Sequence, residues 1–275
     1  MYGKVELDNL FSITELYTAF FEKLPPDYSF PGELHHFTEI VFAVSGKIGV
    51  TAGGTVMTLN AGQAILHPPM EFHRLWSMDG TSPEIIIISF SSVNMPSLKS
   101  RLFMVDSELE QLAKNMIDSI VSSFNLRDIS VTDIKNREQV NYQLAVKQAE
   151  VFVLKLISGN VINIEKQIVK SSQSYTAIMK VLEDNIDNNL DIPDIAKLCK
   201  MSEISLKKTF SKYSGMGIKK FYNSLIMNKA TALLKRGLSV SETASILNFE
   251  NANYFSTAFK RITGHSPSYY KKGLI

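Results

Sequence analysis

The last third of the chain carries an approximate internal repeat of about fifty residues, and no other feature of the sequence constrains the fold as strongly. The matching positions are Ile195-Ala196, Met201-Ser202, Leu206, Phe210 and Gly215 in the first copy, and Thr243-Ala244, Phe249-Glu250, Phe255, Phe259 and Gly264 in the second. Each copy predicts a short helix, a tight turn and a longer helix, which is the pattern of a helix-turn-helix unit.

Caps and breaks in the sequence predict where these helices begin and end. The predicted helices are Pro193 to Cys199 and Glu203 to Tyr213 in the first copy, and Ser241 to Leu247 and about Asn251 to Thr263 in the second. Between the copies, Ile218 to Arg236 contains neither Gly nor Pro and predicts a rigid joining helix. If that helix sets the two longer helices about 34 Å apart, both can enter successive major grooves on one side of a DNA duplex.

Charge is distributed unevenly along the chain, although the formal net charge is only +2. Residues 1–173 contain 14 Lys or Arg against 19 Asp or Glu, a net of −5, and residues 174–275 contain 15 against 8, a net of +7. Within residues 195–275 the balance is 14 against 3, or +11. Positive charge concentrated at one end indicates a polyanionic partner for that end.

The outer faces predicted for the two longer helices carry side chains that suit DNA. Amide and hydroxyl groups can hydrogen-bond to base edges, Lys and Arg can contact guanine edges or phosphates, and Ile204 can meet a thymine methyl group. The first residue of each helix adds backbone amides that can bind phosphate. The candidate DNA-contacting residues are Ser202, Ile204, Ser205, Lys207, Lys208, Ser211 and Lys212 in the first copy, and Asn251, Asn253, Tyr254, Thr257, Lys260 and Arg261 in the second.

The first half of the chain has a different periodicity. From His36 to Phe90, short runs rich in Val, Ile and Phe alternate with turn residues, which predicts a small β-sandwich or barrel. After Pro96, the segments Asp106 to Phe124 and Glu138 to Ser158 predict two amphipathic helices. Their predicted inner faces are Leu109, Leu112, Met116, Ile120 and Phe124 in the first segment and Val140, Leu144, Phe152 and Leu156 in the second.

The predicted fold class is therefore α+β, with a β-barrel or sandwich and two helices followed by an all-α region. Residues 161–173 show no sustained period, so we expect an N-terminal domain over 1–160, a linker over 161–173 and a C-terminal domain over 174–275. Composition is ordinary for a globular chain, and the single cysteine, Cys199, excludes a disulfide framework and a cysteine-based zinc site. The longest aliphatic run, Ile85 to Ile88, is far too short to cross a bilayer, so we expect a soluble cytoplasmic protein with no membrane partner.

The last hundred residues resemble the AraC/XylS family of bacterial transcription regulators. The most specific stretch is Asn251 to Tyr270, where the family signature fits Tyr254-Phe255, Phe259-Lys260-Arg261, Gly264 and Ser266-Pro267 with a closing aromatic. The resemblance implies two helix-turn-helix units joined by a helix, both able to bind DNA, and activation through RNA polymerase. Two turn glycines of the family are Lys200 and Asn248 here, and Lys in a left-handed conformation costs about 1 kcal/mol. Thr257 stands where many members have Arg, so the resemblance does not transfer the base preference of the second helix.

The N-terminal half resembles the cupin-type sensor domain of many such regulators. Residues near the two cupin motif spacings are Gly32, His35, Glu39 and Gly46, followed by Gly62, Pro68 and His73. Metallocupin enzymes bind their metal through such positions, but Glu33 stands where the first histidine would be and Met70 replaces a usual glycine. Only His35, Glu39 and His73 remain as metal candidates, and three ligands can hold a catalytic metal. The resemblance and the degenerate motif favour a metal-free domain without a cofactor, and we expect His36 and His67 to be surface or loop residues.

The combined interpretation is a sequence-specific transcription regulator, most simply an activator, controlled by a small organic effector in the N-terminal domain. The predicted effector site is lined by Phe37, Val41 and Leu75 with Glu39, His73 and Arg74 as polar groups. The resemblance implies a homodimer through residues 106–124 and 138–158. Two alternatives stay open, which are a metal-dependent cupin enzyme with a vestigial helical domain and a protein that compacts nucleic acid without sequence preference.

Overall fold

The computed structural model describes residues 4–98, 100–138, 140–163, 167–169 and 172–271. The chain divides into two compact units, one formed by residues 1–52 and 56–169 and the other by residues 53–55 and 170–275. The first unit contains the β-sheets and two of the described helices, and the remaining helices belong to the second. The predicted α+β class and the order of its parts are confirmed.

The first unit is built mainly from antiparallel strands. Its strands are β1 (Ser12–Lys23), β2 (Thr38–Ser45), β3 (Lys47–Ala52), β4 (Thr55–Asn60), β5 (Gln63–His67), β6 (His73–Ser77), β7 (Glu84–Val93), β8 (Leu102–Met104), β9 (Phe124–Arg127) and β10 (Ser130–Ile134). The larger sheet has the order β8-β5-β2-β7-β1-β10-β9 and the smaller one β4-β3-β6. The strands predicted between His36 and Phe90 are therefore confirmed, whereas β1 and the β9–β10 hairpin were not predicted.

Two separate apolar cores cover the two faces of the larger sheet. Because side chains alternate along a strand, Ile40 and Phe42 of β2 pack toward the helices, while Val41 and Ala43 pack toward the smaller sheet. Strands β2 and β7 lie in the middle of the larger sheet and are covered on both faces, so their central segments, 40–44 and 85–88, are continuously apolar rather than alternating.

Helices α1 (Ser107–Ser123) and α2 (Asn141–Ser158) confirm the two predicted amphipathic helices. Asp106 caps α1, since its side chain accepts a hydrogen bond of 2.8 Å from the amide of Leu109. The predicted inner face of α2 was partly wrong. Val140 and Leu144 are exposed, and the buried stripe is formed by Ala145, Ala149, Phe152, Val153 and Leu156.

The described residues of the predicted linker 161–173 pair with strands of the first unit as far as Val169. The amide of Ile162 donates to the carbonyl of Leu102 (2.9 Å), and the amide of Val169 donates to the carbonyl of Val56 (2.9 Å). Gln173 already begins the first helix of the second unit. The separation thus falls near residue 170, later than the end of the predicted domain at residue 160.

The second unit is formed by helices. They are α3 (Gln173–Asp184), α4 (Ile192–Leu198), α5 (Glu203–Ser214), α6 (Ile218–Lys235), α7 (Val240–Ile246), α8 (Ala252–Thr263) and α9 (Pro267–Lys271). Pairs α4–α5 and α7–α8 are the two predicted helix-turn-helix units. Their turns place Lys200 at φ 54° and Asn248 at φ 53°, as the missing turn glycines indicated.

Within the second unit, helix α6 joins the two helix-turn-helix pairs as predicted, and aromatic residues pack on each side of it. On the first side, the ring of Phe210 in α5 meets that of Phe221 in α6 with centroids 5.1 Å apart. On the second side, Phe255 and Phe259 of α8 lie 5.5 Å apart, and Phe259 meets Tyr270 of α9 at 5.4 Å. At about 1.5 Å per residue, the 18 residues of α6 measure about 27 Å.

None of the helices in the described ranges is both long enough and apolar enough to cross a bilayer.

Candidate nucleic-acid interface and candidate ligand site

Helix α5 is fixed at both ends by residues of its own sequence. The side chain of Ser202 accepts a hydrogen bond of 3.2 Å from the amide of Ser205, and Gly215 ends the helix at φ 68°. Between these caps, Leu206, Phe210 and Tyr213 point into the core. The opposite face is exposed, and Ile204 at its beginning has 81% of its surface accessible.

Helix α8 repeats this construction. The side chain of Asn251 accepts a hydrogen bond of 2.8 Å from the amide of Tyr254, and Gly264 ends the helix at φ 83°. Phe255, Ala258 and Phe259 are buried, which leaves a polar and cationic face toward solvent. The same cap, core and exposed face therefore occur twice in the second unit.

Every candidate DNA-contacting residue named from the sequence is exposed on α5, α8 or their caps. Some are partly engaged, since Lys207 forms an ion pair with Glu203 (3.1 Å) and the hydroxyl of Thr257 donates to the carbonyl of Asn253 (3.0 Å). The side chains of Lys208, Asn253, Lys260 and Arg261 make no hydrogen bond or ion pair with any other residue that the structure describes.

A second site lies in the first unit, where two histidines and two glutamates meet. Glu39 is on β2, His73 begins β6, and Glu33 and His35 belong to the segment before β2. Glu33 and His73 are held together by their backbones, because each donates its amide to the other's carbonyl, at 2.9 and 3.1 Å. One ligand atom from each of the four side chains lies within 4.8 Å of the others.

The histidines direct the same ring nitrogen into this cluster. The Nδ1 atoms of His35 and His73 bond to the carbonyls of Phe37 and Glu71, each at 3.0 Å. Their Nε2 atoms are buried and form no aligned hydrogen bond with any group in the described ranges. They face the carboxylates instead, with His73 Nε2 lying 3.2 Å from Glu39 Oε1 and 3.6 Å from Glu33 Oε1.

Charge within the cluster shifts the pKa values of its members. Burial alone lowers the pKa of His73, but the neighbouring carboxylates of Glu33 and Glu39 outweigh burial and raise it to about 9. For Glu39, burial raises the pKa, but the ring nitrogens of His35 and His73 beside its carboxylate and the positive charge of His73 hold it well below its usual range. The Glu39 carboxylate also accepts a hydrogen bond of 2.7 Å from Ser89, which favours the ionised form.

His67 was expected at the surface, and that prediction was wrong. His67 is only 1% exposed, and its ring stacks on that of His73 with centroids 4.5 Å apart. Its Nδ1 lies 2.9 Å from Oε1 of Glu71. Glu71 also pairs with Arg101. The prediction failed because β5 extends to His67, which places it inside the sheet. His36 is exposed as expected.

The structure gathers only part of the predicted effector site. Glu39 and His73 come together, and the ring of Phe37 stacks on His35 with centroids 3.6 Å apart. Val41 and Leu75 lie in the filled aliphatic core between the two sheets. Arg74 points away from His73 because neighbouring strand residues face opposite sides, and it donates to the carbonyl of Phe30 (2.8 Å). Glu33, which the sequence interpretation set aside, is the residue that completes the cluster.

An open groove of about 790 Å³ lies elsewhere in the first unit, between β1, the β9–β10 hairpin and α2. Its floor includes Glu150, which accepts hydrogen bonds from the hydroxyl of Ser12 and the amide of Ile13, both at 3.0 Å. This groove could not be predicted, because β1 and the hairpin that form it were not recognised from the sequence.

Comparison with known families matches residues 195–273 to the helix-turn-helix domain and residues 20–89 to the cupin domain. The Msm operon regulatory protein of Streptococcus mutans is 25% identical over 99% of this chain and 96% of its own length. The transcriptional activator RhaR of Yersinia pestis is 27% identical over 40% of this chain, a match that spans 39% of RhaR. A solved AraC-type regulator structure from Chromobacterium violaceum is 25% identical, covers 37% of this chain and 92% of that chain, and has a TM-score of 0.35.

A cupin domain followed by two capped helix-turn-helix units, with regulators as relatives, defines a DNA-binding transcriptional regulator. Residues 195–273 match the helix-turn-helix domain found in such regulators, in keeping with the resemblance of Asn251 to Tyr270 to the AraC/XylS signature.

Proposed function

We propose that this regulator reads promoter DNA sequence-specifically, with α5 and α8 as its two recognition helices. The observation that carries the proposal is the repeated construction of these helices, each with a capped N-terminus, a buried apolar stripe and an exposed polar face. The surrounding segment 195–275 has a net charge of +11, which favours a polyanion. Both helices are long enough to lie in a major groove.

Within this interface the side chains divide into base-reading and phosphate-binding groups. Asn253 can bond bidentately to adenine, and the methyl groups of Ile204 can pack on thymine. Lys208, Lys260 and Arg261 supply charge for guanine edges or phosphates. Asn251 and Ser202 act through their helices rather than through their side chains, because those side chains already cap the helix.

The N-terminal unit is the sensing part of the proposed regulator. Its clustered polar groups around Glu39 and His73 offer a small ligand several charged and hydrogen-bonding contacts in one place. Similarity to the Streptococcus mutans operon regulator extends over both units, which supports a regulatory role for the whole chain. A ligand can change DNA binding only if it binds two states of the protein with different affinity.

The proposed dimerisation surface also belongs to this unit and is formed by residues 106–124 and 138–158. Helix α2 exposes Leu144 and Val151, and its N-cap residue Val140 is also exposed; Val140 and Leu144 have 62% and 58% of their surface accessible. These positions lie four and seven residues apart, so they share one face of the helix. An apolar face of this kind supports a contact with a second copy of the chain.

Activation through RNA polymerase in the cytoplasm completes the proposal. The similarity to the activator RhaR supports it, although that match covers 39% of RhaR. We further propose that the cupin domain is a sensor and not an enzyme, since the relatives are transcriptional regulators.

A competition experiment tests the central part of the proposal. Labelled DNA from the region flanking the coding sequence is bound by the full chain and challenged with bulk DNA over a series of salt concentrations. Sequence-specific binding leaves a protected fragment that bulk DNA displaces poorly, whereas phosphate binding alone shows no preference at any salt. Asn253→Ala and Lys208→Ala should each weaken the specific complex, and Lys47→Ala, an exposed lysine of the first unit, serves as the control.

A further inference from the structure

The cluster of Glu33, His35, Glu39 and His73 has the spacing of metal ligands. Metal–ligand bonds of about 2.0–2.2 Å in a tetrahedral site place neighbouring ligand atoms about 3.4 Å apart. The nitrogen–oxygen distances between the two histidines and the two glutamates are 3.2, 3.6, 3.7 and 3.9 Å. The two Nε2 atoms, Glu33 Oε1 and the two Glu39 oxygens, Oε1 toward His73 and Oε2 toward His35, are thus at nearly the separations that a bound ion requires.

The rings are also oriented as ligands. A histidine that binds a metal commonly donates its other ring N–H to a carbonyl or carboxylate, which fixes the ring and directs the free lone pair at the ion. Both Nδ1 atoms meet carbonyl oxygens here, so both Nε2 atoms point into the cluster, and in the neutral rings their lone pairs are available to an ion. The side chains of His35 and His73 are 10% and 3% exposed, and their Nε2 atoms face carboxylates without an aligned hydrogen bond, an arrangement that a bound ion would satisfy.

A further layer of contacts holds these ligands in place. Ser89 donates to Glu39, and the ring of His67 packs flat against that of His73. Glu33 remains 46% exposed, which leaves a path for an ion to enter from solvent. The site is therefore preorganised by three parts of the chain and open on one side.

The donor atoms indicate the class of ion. Imidazole suits zinc, iron, nickel and copper, whereas magnesium and calcium prefer oxygen ligands throughout. The carboxylates of Glu33 and Glu39 can supply two negative charges, which would balance a divalent ion.

We propose that Glu33, His35, Glu39 and His73 bind one divalent first-row transition metal ion. The donor set of two imidazoles and two carboxylates depends on Glu33, the residue that breaks the histidine pattern of the motif. The ion would be the ligand of the sensing unit; only that regulatory consequence rests on the proposed function, and ion binding itself is measured without DNA.

The test uses the untagged full chain, freed of metal with a chelator and dialysed. Zn²⁺ and Mn²⁺ are titrated by calorimetry, and bound metal is measured by elemental analysis, with Mg²⁺ as the ion that should not bind. Glu33→Gln changes a half-exposed carboxylate to its neutral isostere and is expected to weaken binding by at least about tenfold. His73→Ala is expected to abolish it, and His36→Ala, at an exposed neighbouring histidine, should leave it unchanged.

Far-UV circular dichroism and DNA binding of each metal-free variant separate this proposal from the previous one. One ion per chain, bound at least about tenfold more weakly by Glu33→Gln while fold and DNA binding persist, supports the metal site. Absence of a stoichiometric ion in the folded wild-type chain, or equal binding by wild type and Glu33→Gln, overturns it. A wild-type chain that binds the ion but shows no specific DNA binding would contradict only the proposed function.

Discussion

Glu33 and His73 are paired through both of their backbones, and this pairing holds the Glu33 carboxylate 3.6 Å from the His73 ring nitrogen. Neither residue is near the other in sequence, so the cluster depends on how the segment before β2 is docked against β6. Gly32 makes that docking possible. It adopts φ +86°, and a Cβ there would stand 2.5 Å from the ring of Phe72.

Gly32→Ala should therefore destabilise the first unit. The left-handed conformation costs about 1–2 kcal/mol, and crowding against the buried ring of Phe72 adds about 1–3 kcal/mol. Gly80→Ala is the matched control, because Gly80 has φ +65° with nothing near its Cβ, so it carries only the conformational cost. Urea denaturation of both variants measures the difference. Equal losses of unfolding free energy in the two variants would show that the contact with Phe72 does not require glycine at position 32.

Asn251→Ala should lower the free energy of unfolding of the second unit by about 1 kcal/mol, since it removes the cap of α8. Asn251→Ser keeps a capping oxygen and should restore stability. Asn253→Ala, on the exposed face of the same helix, should leave stability within about 0.5 kcal/mol of wild type while weakening specific DNA binding. Thermal denaturation and band-shift titration of all three variants distinguish the capping role of Asn251 from the DNA-contacting role of Asn253. A stability loss in Asn253→Ala, or none in Asn251→Ala, would reverse these assignments.

Lys200→Gly should stabilise the second unit. Lys200 lies at φ 54°, a conformation that costs a non-glycine residue about 1–2 kcal/mol. Glycine removes this cost, but its greater freedom in the unfolded chain lowers the free energy of unfolding by about 0.4–1 kcal/mol. A net gain of about 0.5–1 kcal/mol is expected. Lys197→Gly, three residues earlier within α4, should instead lose about 1 kcal/mol. Chemical denaturation of the two variants checks the sign of each change.

Leu144→Asp should shift the proposed dimer toward the monomer, because it places a charge on the exposed apolar face of α2. Sedimentation equilibrium over a range of protein concentrations measures the change. Val93→Asp, at an exposed residue of β7, is the control for an added charge elsewhere on the first unit. A wild-type chain that stays monomeric at every concentration, or a dimer that Leu144→Asp leaves intact, would contradict the proposed surface.

The sequence predicted what local patterns determine and missed what depends on distant contacts. Helices α5 and α8 could be predicted with their caps, since Ser202 and Asn251 act within one turn of the chain. Strand β1 has a mixed pattern over a half-exposed surface, and its place in the sheet is set by pairing with β7, about seventy residues away. Because β1 was not predicted, the groove beside α2 was not predicted either.

The ligand cluster shows the same division. The sequence placed His35, Glu39 and His73 together through motif spacing, but Glu33 read as a lost histidine. Only the backbone pairing with His73 shows that its carboxylate reaches the same point. His67 was misplaced for a related reason, because the end of β5 and its burial depend on pairing with β2 rather than on local sequence.

The most direct test of the account is selection of bound fragments from a random pool of duplex DNA by the full chain, followed by sequencing. Two recognition helices on one rigid unit predict an enriched motif with two elements about 10 base pairs apart. Asn253→Ala should relax the preference within one element and leave the other readable. Recovery of fragments with no common sequence, equally displaced by bulk DNA at every salt concentration, would contradict sequence-specific reading by α5 and α8.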